Sequence, residues 1–136
     1  MRKKLILEDV VSFLGPAKRY LRYIWQVKGG IKLAMPREMG HRYDFMEGDE
    51  IFIVAYQDGN LLGYVGVRSG DLQPSYEHTC NQIWVSRCRV KLQGQVRFMA
   101  IEKRDSNLMR WRKGDAILLT ELDRKYFKIE NLSAGR

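Results

Sequence analysis

Three tryptophans lie within basic sequence and are the residues of this chain best suited to a specific chemistry. Trp25 lies in RYIWQVK, Trp84 in QIWVSRCR and Trp111 in LMRWRKG. An indole ring can stack on a nucleobase while neighbouring arginines and lysines bind the flanking phosphates, so the pattern is typical of a nucleic-acid surface. A tryptophan in a small domain can equally be a core residue, and the sequence leaves both roles open for each ring.

Charge is distributed unevenly along the chain. The 136 residues carry a formal net charge of +8 at pH 7. From Glu47 to Ile83, six acidic residues outnumber one basic residue, whereas from Trp84 to Lys113 nine basic residues outnumber two acidic ones. Cations concentrated in this way predict one positive face, and a positive face indicates a polyanionic partner such as RNA or DNA.

Residues that commonly catalyse reactions or bind metals are sparse. His41 and His78 lie 37 residues apart, and neither has a companion at metal-ligand spacing. No G-x-S-x-G, P-loop or Rossmann glycine pattern occurs. We therefore predict no metal, no cofactor and no enzymatic activity. A small nucleotide-processing enzyme, with residues brought together by the fold, is the lesser alternative.

The sequence favours a protein of the cytoplasm. No window approaches the roughly 18 uninterrupted apolar residues of a membrane span. The start, MRKKLILEDVVSFLGPA, has the basic end of a signal peptide, but Glu8 and Asp9 break its apolar stretch, so we expect it to be retained. Cys80 and Cys88 lack C-x-x-C spacing and are expected to be buried or free thiols.

Strand patterns dominate the elements that must position these residues. YLRYIWQVKGG predicts a strand ending at paired glycines, and the segment after it is predicted to be irregular or to hold one helical turn after Pro36. The apolar runs around Asp58-Gly59-Asn60 predict a β-hairpin. IWVSRCRVKLQGQVRFM alternates and predicts one long strand with a bend or bulge at Gly94.

The remaining segments complete the prediction of the fold. LEDVVSFLGP and AIEKRDSNLMRW predict short helices, and DAILLT predicts a strand. ELDRKYFKIENL fits either a helix or a strand pair turning at Asp123-Arg124. We predict an α+β fold, a small and mainly antiparallel β-barrel of about five or six strands with short flanking helices.

The order of these elements resembles the EVE group of PUA-like barrels. The resemblance covers about residues 23–132 and implies a barrel domain of residues 23–136 after a helical extension of residues 1–22. Lys28-Gly29-Gly30 stands where the family has Asn-Pro. The matching motifs are YIWQVK, GDEIFIVA, the glycine-containing YVGV, Arg89-Val90-Lys91-Leu92, and the closing set Leu119, Asp123, Tyr126 and Ile129.

In the EVE group and the similar YTH readers, a pocket beside the barrel holds one base, often a modified one. The resemblance implies a pocket in which Trp25 and Trp84 stack on the base while Gln26 and Ser86 read its edge. Unstacking the base costs a few kcal/mol, which stacking at about 1–3 kcal/mol per base offsets. The implied contacts to the nucleic-acid backbone are Lys28, Arg37, Arg42, Arg87, Arg89, Arg110, Trp111 and Arg112.

A second resemblance is to the swapped-hairpin AbrB type of DNA-binding module. In that type a strand, a Pro-led turn and a Gly-Asp strand follow one another, as in GIKLAMPREMGHRYDFMEGDEIFIV. QVRFMAIEKRDSNLMRWRKGDAILLT nearly repeats the order, with Gly114 18 residues after Val96 against 17 from Ile31 to Gly48. This resemblance implies a tandem pseudo-dimer that regulates transcription on duplex DNA. The sequence leaves RNA or DNA, and the oligomeric state, open.

Overall fold

The computed structural model describes residues 18–58, 61–71, 82–123 and 125–133, which hold nine strands and two short α-helices. A 3₁₀ turn at Ser69–Asp71 follows the fifth strand. The strands are β1 (Arg19–Tyr23), β2 (Trp25–Val27), β3 (Gly30–Ala34), β4 (Glu50–Asp58), β5 (Leu61–Arg68), β6 (Gln82–Gln93), β7 (Val96–Glu102), β8 (Ala116–Glu121) and β9 (Tyr126–Asn131), and the helices are α1 (Arg37–Arg42) and α2 (Lys103–Met109).

All nine strands form one antiparallel sheet in the order β1-β8-β9-β5-β4-β6-β7-β3-β2. The two ends of this order, β1 and β2, are consecutive parts of one extended stretch interrupted at Ile24, so the sheet curls into a nearly closed barrel. The predicted fold class is confirmed, with nine strands in place of five or six. Closure leaves few free sheet edges, which protects a strand-rich chain from edge-to-edge association.

The chain is built as two copies of one unit, offset by 66 positions. β1-β2, β3, α1 and β4 in the first half match β6, β7, α2 and β8 in the second. Gly48-Asp49 and Gly114-Asp115 precede β4 and β8, and the φ angles of the two glycines are 90° and 85°. Among the described residues, only Asp44 and Arg110 have positive φ without being glycine, and they too lie 66 positions apart.

Each half of the chain completes the other. The N–H of Gly48 donates to the carbonyl of Val90 at 2.8 Å, and the N–H of Val90 donates to the carbonyl of Asp49 at 2.9 Å. Gly114 and Asp115 make the same two bonds, at 2.8 and 3.0 Å, with Ile24, the counterpart of Val90. Because each Gly-Asp turn holds a strand of the opposite half, the two halves share one barrel.

A pseudo-twofold axis relates the halves. Leu33 in β3 lies opposite Met99 in β7, which is its own counterpart in the second half. The β8–β9 hairpin is three residues shorter than the β4–β5 hairpin, so counterparts in β5 and β9 are 63 positions apart. At this other end of the barrel, Val65 in β5 lies opposite its own counterpart, Lys128 in β9. The axis passes through these two pairs, so the chain has the internal symmetry of a dimer.

Aromatic rings in the core also make contacts between the two halves. The rings of Phe45 and Phe127 meet edge-on with centroids 6.1 Å apart, and those of Trp111 and Tyr64 meet edge-on at 5.2 Å. Trp111 is only 3% exposed. Each ring that follows a helix therefore packs on the last hairpin of the other half, which ties the two halves through buried apolar contacts.

Local predictions are confirmed where short-range chemistry decides the structure. β4 and β5 form the predicted hairpin, and β8 and β9 form the strand pair rather than the helix. α1 begins directly after Pro36, whose φ of −56° suits a helix start. α2 lies within the predicted helical segment.

Other local predictions need correction. The predicted long strand is two strands, because Gly94, at φ 62°, makes a hairpin turn between β6 and β7 rather than a bend. Residues 31–34, predicted to be irregular, belong to β3, which pairs with β7. The barrel begins at Arg19, which pairs with Thr120, so it includes residues assigned to the extension. The helix predicted from Leu7 to Leu14 lies outside the described residues.

Candidate nucleic-acid interface

Four strands in the order β2-β3-β7-β6 form an outward face that crosses the pseudo-twofold axis. We call this surface the axial face. Leu33 and Met99 point inward at its centre, so the side chains on either side of them point outward. Two cross-strand rows cover the face: Trp25, Lys32, Ala100 and Arg89 form the first, and Ala34, Phe98 and Lys91 form the second.

One border of the axial face is a basic ridge on β6, made of Arg87, Arg89 and Lys91. These residues alternate with buried Ser86, Cys88 and Val90, so their side chains project together from the barrel. The Arg87 guanidinium lies 5.5 Å from the centroid of the Phe52 ring, and Arg89 donates to the carbonyl of Gly48 at 3.3 Å. Within the described part of the chain, none of the three forms an ion pair.

A groove of about 410 Å³ runs along the basic ridge. Lys28, Gly29 and Gly30 in the turn between β2 and β3 line it opposite the ridge, and Ala100 lies between. Glu50 and Glu102 also line the groove. The four cations outnumber the two carboxylates, so the groove favours an anion.

The opposite border of the axial face is an apolar ridge, made of Trp25 in β2 together with Leu21 and Tyr23 in β1, the strand that leads into β2. These are the counterparts, 66 positions earlier, of Arg87, Arg89 and Lys91. They are 44%, 54% and 58% exposed, respectively. The two halves have the same backbone fold but different surfaces: the ridge is cationic on one side of the axis and apolar on the other.

Lys32 carries a positive charge to the middle of the axial face. Its ammonium lies 4.2 Å from the centroid of the Phe98 ring and 5.4 Å from that of Trp25. It also donates a hydrogen bond to the side-chain oxygen of Gln93. The two rings hold the cation by cation–π attraction while the residue stays partly exposed.

The four residues of the predicted base pocket lie in different places. Trp25 and Gln26 are exposed on β2, whereas Ser86 is buried, and its hydroxyl has no hydrogen-bond partner among the described residues. The backbone of Trp84 lies opposite Ala55 of β4. Because β3 and β7 separate β2 from β6, Trp25 and Trp84 are not on neighbouring strands.

The residues predicted to contact the nucleic-acid backbone also lie in different parts of the structure. Lys28, Arg87 and Arg89 line the groove, and Arg37, Arg110 and Arg112 are exposed on or beside the two helices. The ring of Trp111 is in the core, away from any surface. The site residues predicted from the sequence did not include Lys32, Lys91, Leu21 or Tyr23, although Lys91 was counted among the cations of the positive face. The period-two alternation of SRCRVK places Lys91 on the same side of the strand as Arg87 and Arg89. Aligning the two halves of the sequence at their Gly-Asp turns would have matched Lys91 with Trp25.

Arg42 is held in a structural network rather than presented to solvent as a free cation. Its Nε donates to Oε1 of Glu121 at 2.8 Å, and its guanidinium also donates to the Tyr20 hydroxyl at 2.7 Å. Burial and then the hydrogen bond to Glu121 raise the pKa of Tyr20 to about 12. Although partial burial opposes the effect, hydrogen bonds from Arg42 and Tyr20 lower the pKa of Glu121. The network fastens α1 to β1 and β8.

Buried Cys88 is not suited to act as a nucleophile, because burial raises the pKa of its thiol to about 12 and disfavours the reactive thiolate. The described residues include no group of three or more His, Cys, Asp or Glu side chains that could hold a metal ion. No helix in the described ranges has the length and apolar character needed to cross a membrane.

Comparison of the chain with protein-family models, with curated proteins and with solved structures gave no match. The geometry and charge of the axial face are therefore the basis for a functional proposal.

Proposed function

We propose that the chain binds double-stranded DNA through the axial face. The observation that carries the proposal is the basic ridge, whose three cations lack carboxylate partners in the described structure and project together beside a pseudo-twofold axis. Cations without partners gain most from phosphates, because binding releases the counterions condensed on DNA.

The symmetry of the fold favours a duplex as the ligand. The two strands of a duplex are related by local twofold axes, and proteins with twofold symmetry commonly align their axis with one of them. Leu33 and Met99 place the axis of this chain at the centre of the axial face. The tandem AbrB-like hypothesis predicts the same ligand, and a role in transcriptional regulation would follow if binding depends on sequence.

A second candidate is binding of a single base by stacking, as the EVE-like hypothesis predicts. It is supported by the exposed ring of Trp25 and by the cation beside it, Lys32. The burial of Ser86 and the position of Trp84 on a separated strand favour the duplex interface over a pocket that needs all four residues.

The test measures affinity for a labelled blunt duplex of about 20 base pairs by fluorescence anisotropy across a salt series. Removing two phosphate contacts with Arg89→Ala/Lys91→Ala is expected to reduce the log–log salt slope by about 2, since each contact contributes about 0.9. The matched control, Lys125→Ala/Lys128→Ala, removes two charges near the other end of the axis and is expected to keep the slope. Absence of binding at low salt, or equal slopes for both double variants, would refute the interface.

A further inference from the structure

The two ridges of the axial face have diverged in a way that specifies the ligand more closely. We propose that the chain recognises DNA at a junction between paired and unpaired strands, with the duplex on the basic ridge and unpaired bases on the apolar ridge. The inference rests on the proposed function and names the substrate class of the same face.

One nucleic acid can reach both ridges. β2 and β6 are separated by β3 and β7, so the borders of the axial face are three strand spacings apart, or about 14 Å. At about 3.4 Å per base step, this distance corresponds to roughly four steps. A DNA molecule lying on the basic ridge and crossing the axis therefore meets the apolar ridge within one half-turn of helix.

The chemistry of the apolar ridge suits unpaired bases better than a duplex backbone. A duplex turns charged phosphates outward, and Leu21, Tyr23 and Trp25 offer them no compensating charge. Unpaired bases expose their faces, and aromatic rings bind these faces by stacking. The rings of Tyr23 and Trp25 are each more than half exposed, so they are accessible in the free protein.

The centre of the axial face suits the transition between the two states. Ala34 and Ala100 are the small outward residues beside the axis, and they allow a nucleic-acid backbone to approach closely. Lys32, in the same row as Trp25 and Arg89, supplies a cation between the ridges. Along this row an aromatic ring (Trp25) is followed by a cation (Lys32), a small residue (Ala100) and a second cation (Arg89). This order suits a DNA strand whose bases stack at one end and whose phosphates are bound at the other.

The experiment compares three labelled probes: a blunt duplex, the same duplex with a six-thymidine single-stranded tail, and the tail alone. The parent protein is expected to bind the tailed duplex about tenfold more tightly than the blunt one, as stacking of one base implies. Tyr23→Ala/Trp25→Ala should remove this preference, so that the variant binds the tailed and the blunt duplex with equal affinity. The control, Leu108→Ala/Leu132→Ala, truncates two exposed apolar residues elsewhere and should retain the preference.

Each outcome distinguishes this inference from the proposed function. Equal affinity of the parent for blunt and tailed duplexes would overturn the junction proposal and leave duplex binding intact. A tail preference that survives Tyr23→Ala/Trp25→Ala would overturn it as well, because another surface would then bind the bases. Elution of the parent as a dimer and of Tyr23→Ala/Trp25→Ala as a monomer in size-exclusion chromatography would also overturn it, because the apolar ridge would then bind a second copy of the chain. Failure to bind any probe at low salt would refute the proposed function itself.

Discussion

Leu33 and Met99 face each other across β3 and β7 although they are 66 positions apart, and each is the other's counterpart in the repeat. Both are fully buried or nearly so. A pair of this kind occurs at a subunit boundary in a symmetric dimer, where a residue meets its own copy. Here both members belong to one chain, so the two positions can differ, as do the residues of the two ridges beside them.

The Gly-Asp turns give the first prediction, because a side chain at Gly48 or Gly114 must adopt a positive φ. We expect Gly48→Ala and Gly114→Ala each to lower the free energy of unfolding by about 1 kcal/mol, since an added Cβ meets no atom within 4 Å and only backbone strain remains. Gly70→Ala, also without a neighbour within 4 Å but without positive φ, should be nearly neutral. Urea denaturation measures all three, and unequal effects at the two turns would contradict their equivalence.

The tryptophans provide a second prediction through a comparison of two truncations. Trp111→Ala should cost about 3–5 kcal/mol of stability, because it leaves a cavity against Tyr64 in the core. Trp25→Ala should lower the melting temperature little, because the ring is largely exposed. Trp84→Ala extends the comparison to the third ring. A large loss of stability in Trp25→Ala would show that the apolar ridge is structural.

The network of Arg42, Tyr20 and Glu121 makes stability depend on pH at both extremes. The pKa of Glu121 is lower in the folded protein, so its contribution is present above its ordinary pKa of 4.5 and is lost as the pH falls through the folded value. The pKa of Tyr20 rises from 10.0 to about 12, so its contribution is present below pH 10 and is lost as the pH rises towards 12.

Glu121→Gln tests this assignment. The variant should lower the melting temperature at pH 7 and flatten its fall below pH 4.5, because the group that titrates is gone. Glu130→Gln, which removes a partly exposed carboxylate paired with Lys128, should leave the acid limb as in the parent. Thermal unfolding monitored by circular dichroism from pH 2.5 to pH 11 checks both, and an unchanged acid limb in Glu121→Gln would assign the effect to other carboxylates.

The internal symmetry allows a gain-of-function prediction. Leu21→Arg/Tyr23→Arg/Trp25→Lys copies the basic ridge onto the first half at the matching positions. If blunt duplex lies across the axial face, its affinity should rise and the salt slope should steepen by about 0.9 for each phosphate newly contacted. The reciprocal variant, Arg87→Leu/Arg89→Tyr/Lys91→Trp, should bind blunt duplex much more weakly. Anisotropy titrations at two salt concentrations distinguish these results from unchanged affinity, which would place the duplex elsewhere.

Sequence reasoning succeeded where neighbouring residues decide the conformation. Asp58-Gly59-Asn60 marked a hairpin through turn chemistry alone, and Pro36 marked the helix that follows it. The pairing of β1 with β8 could not be predicted in this way, because it depends on residues about 100 positions away. The alternation that continues across Gly94 also concealed the boundary between β6 and β7.

The candidate site was predicted in part for a similar reason. Arg87 and Arg89 were recognised by charge and Trp25 by its aromatic ring. Trp111 has the same kind of basic neighbours as Trp25, yet its ring is in the core while Arg110 and Arg112 on either side are exposed. Local composition does not determine which way a side chain points, and only the register of the sheet separates these two tryptophans.

The pairing of β1 with β8 also determines how long the first strand stays unpaired while the chain is being synthesised. Tyr20 bonds to Glu121, 101 positions later, so the first strand has no permanent partner until most of the chain has left the ribosome. At about 5–20 residues per second, that interval lasts roughly 5–20 seconds. During this time Leu21 and Tyr23 lie on an unpaired strand. We expect the nascent first half to require protection by chaperones, and a slower rate of synthesis to increase its aggregation.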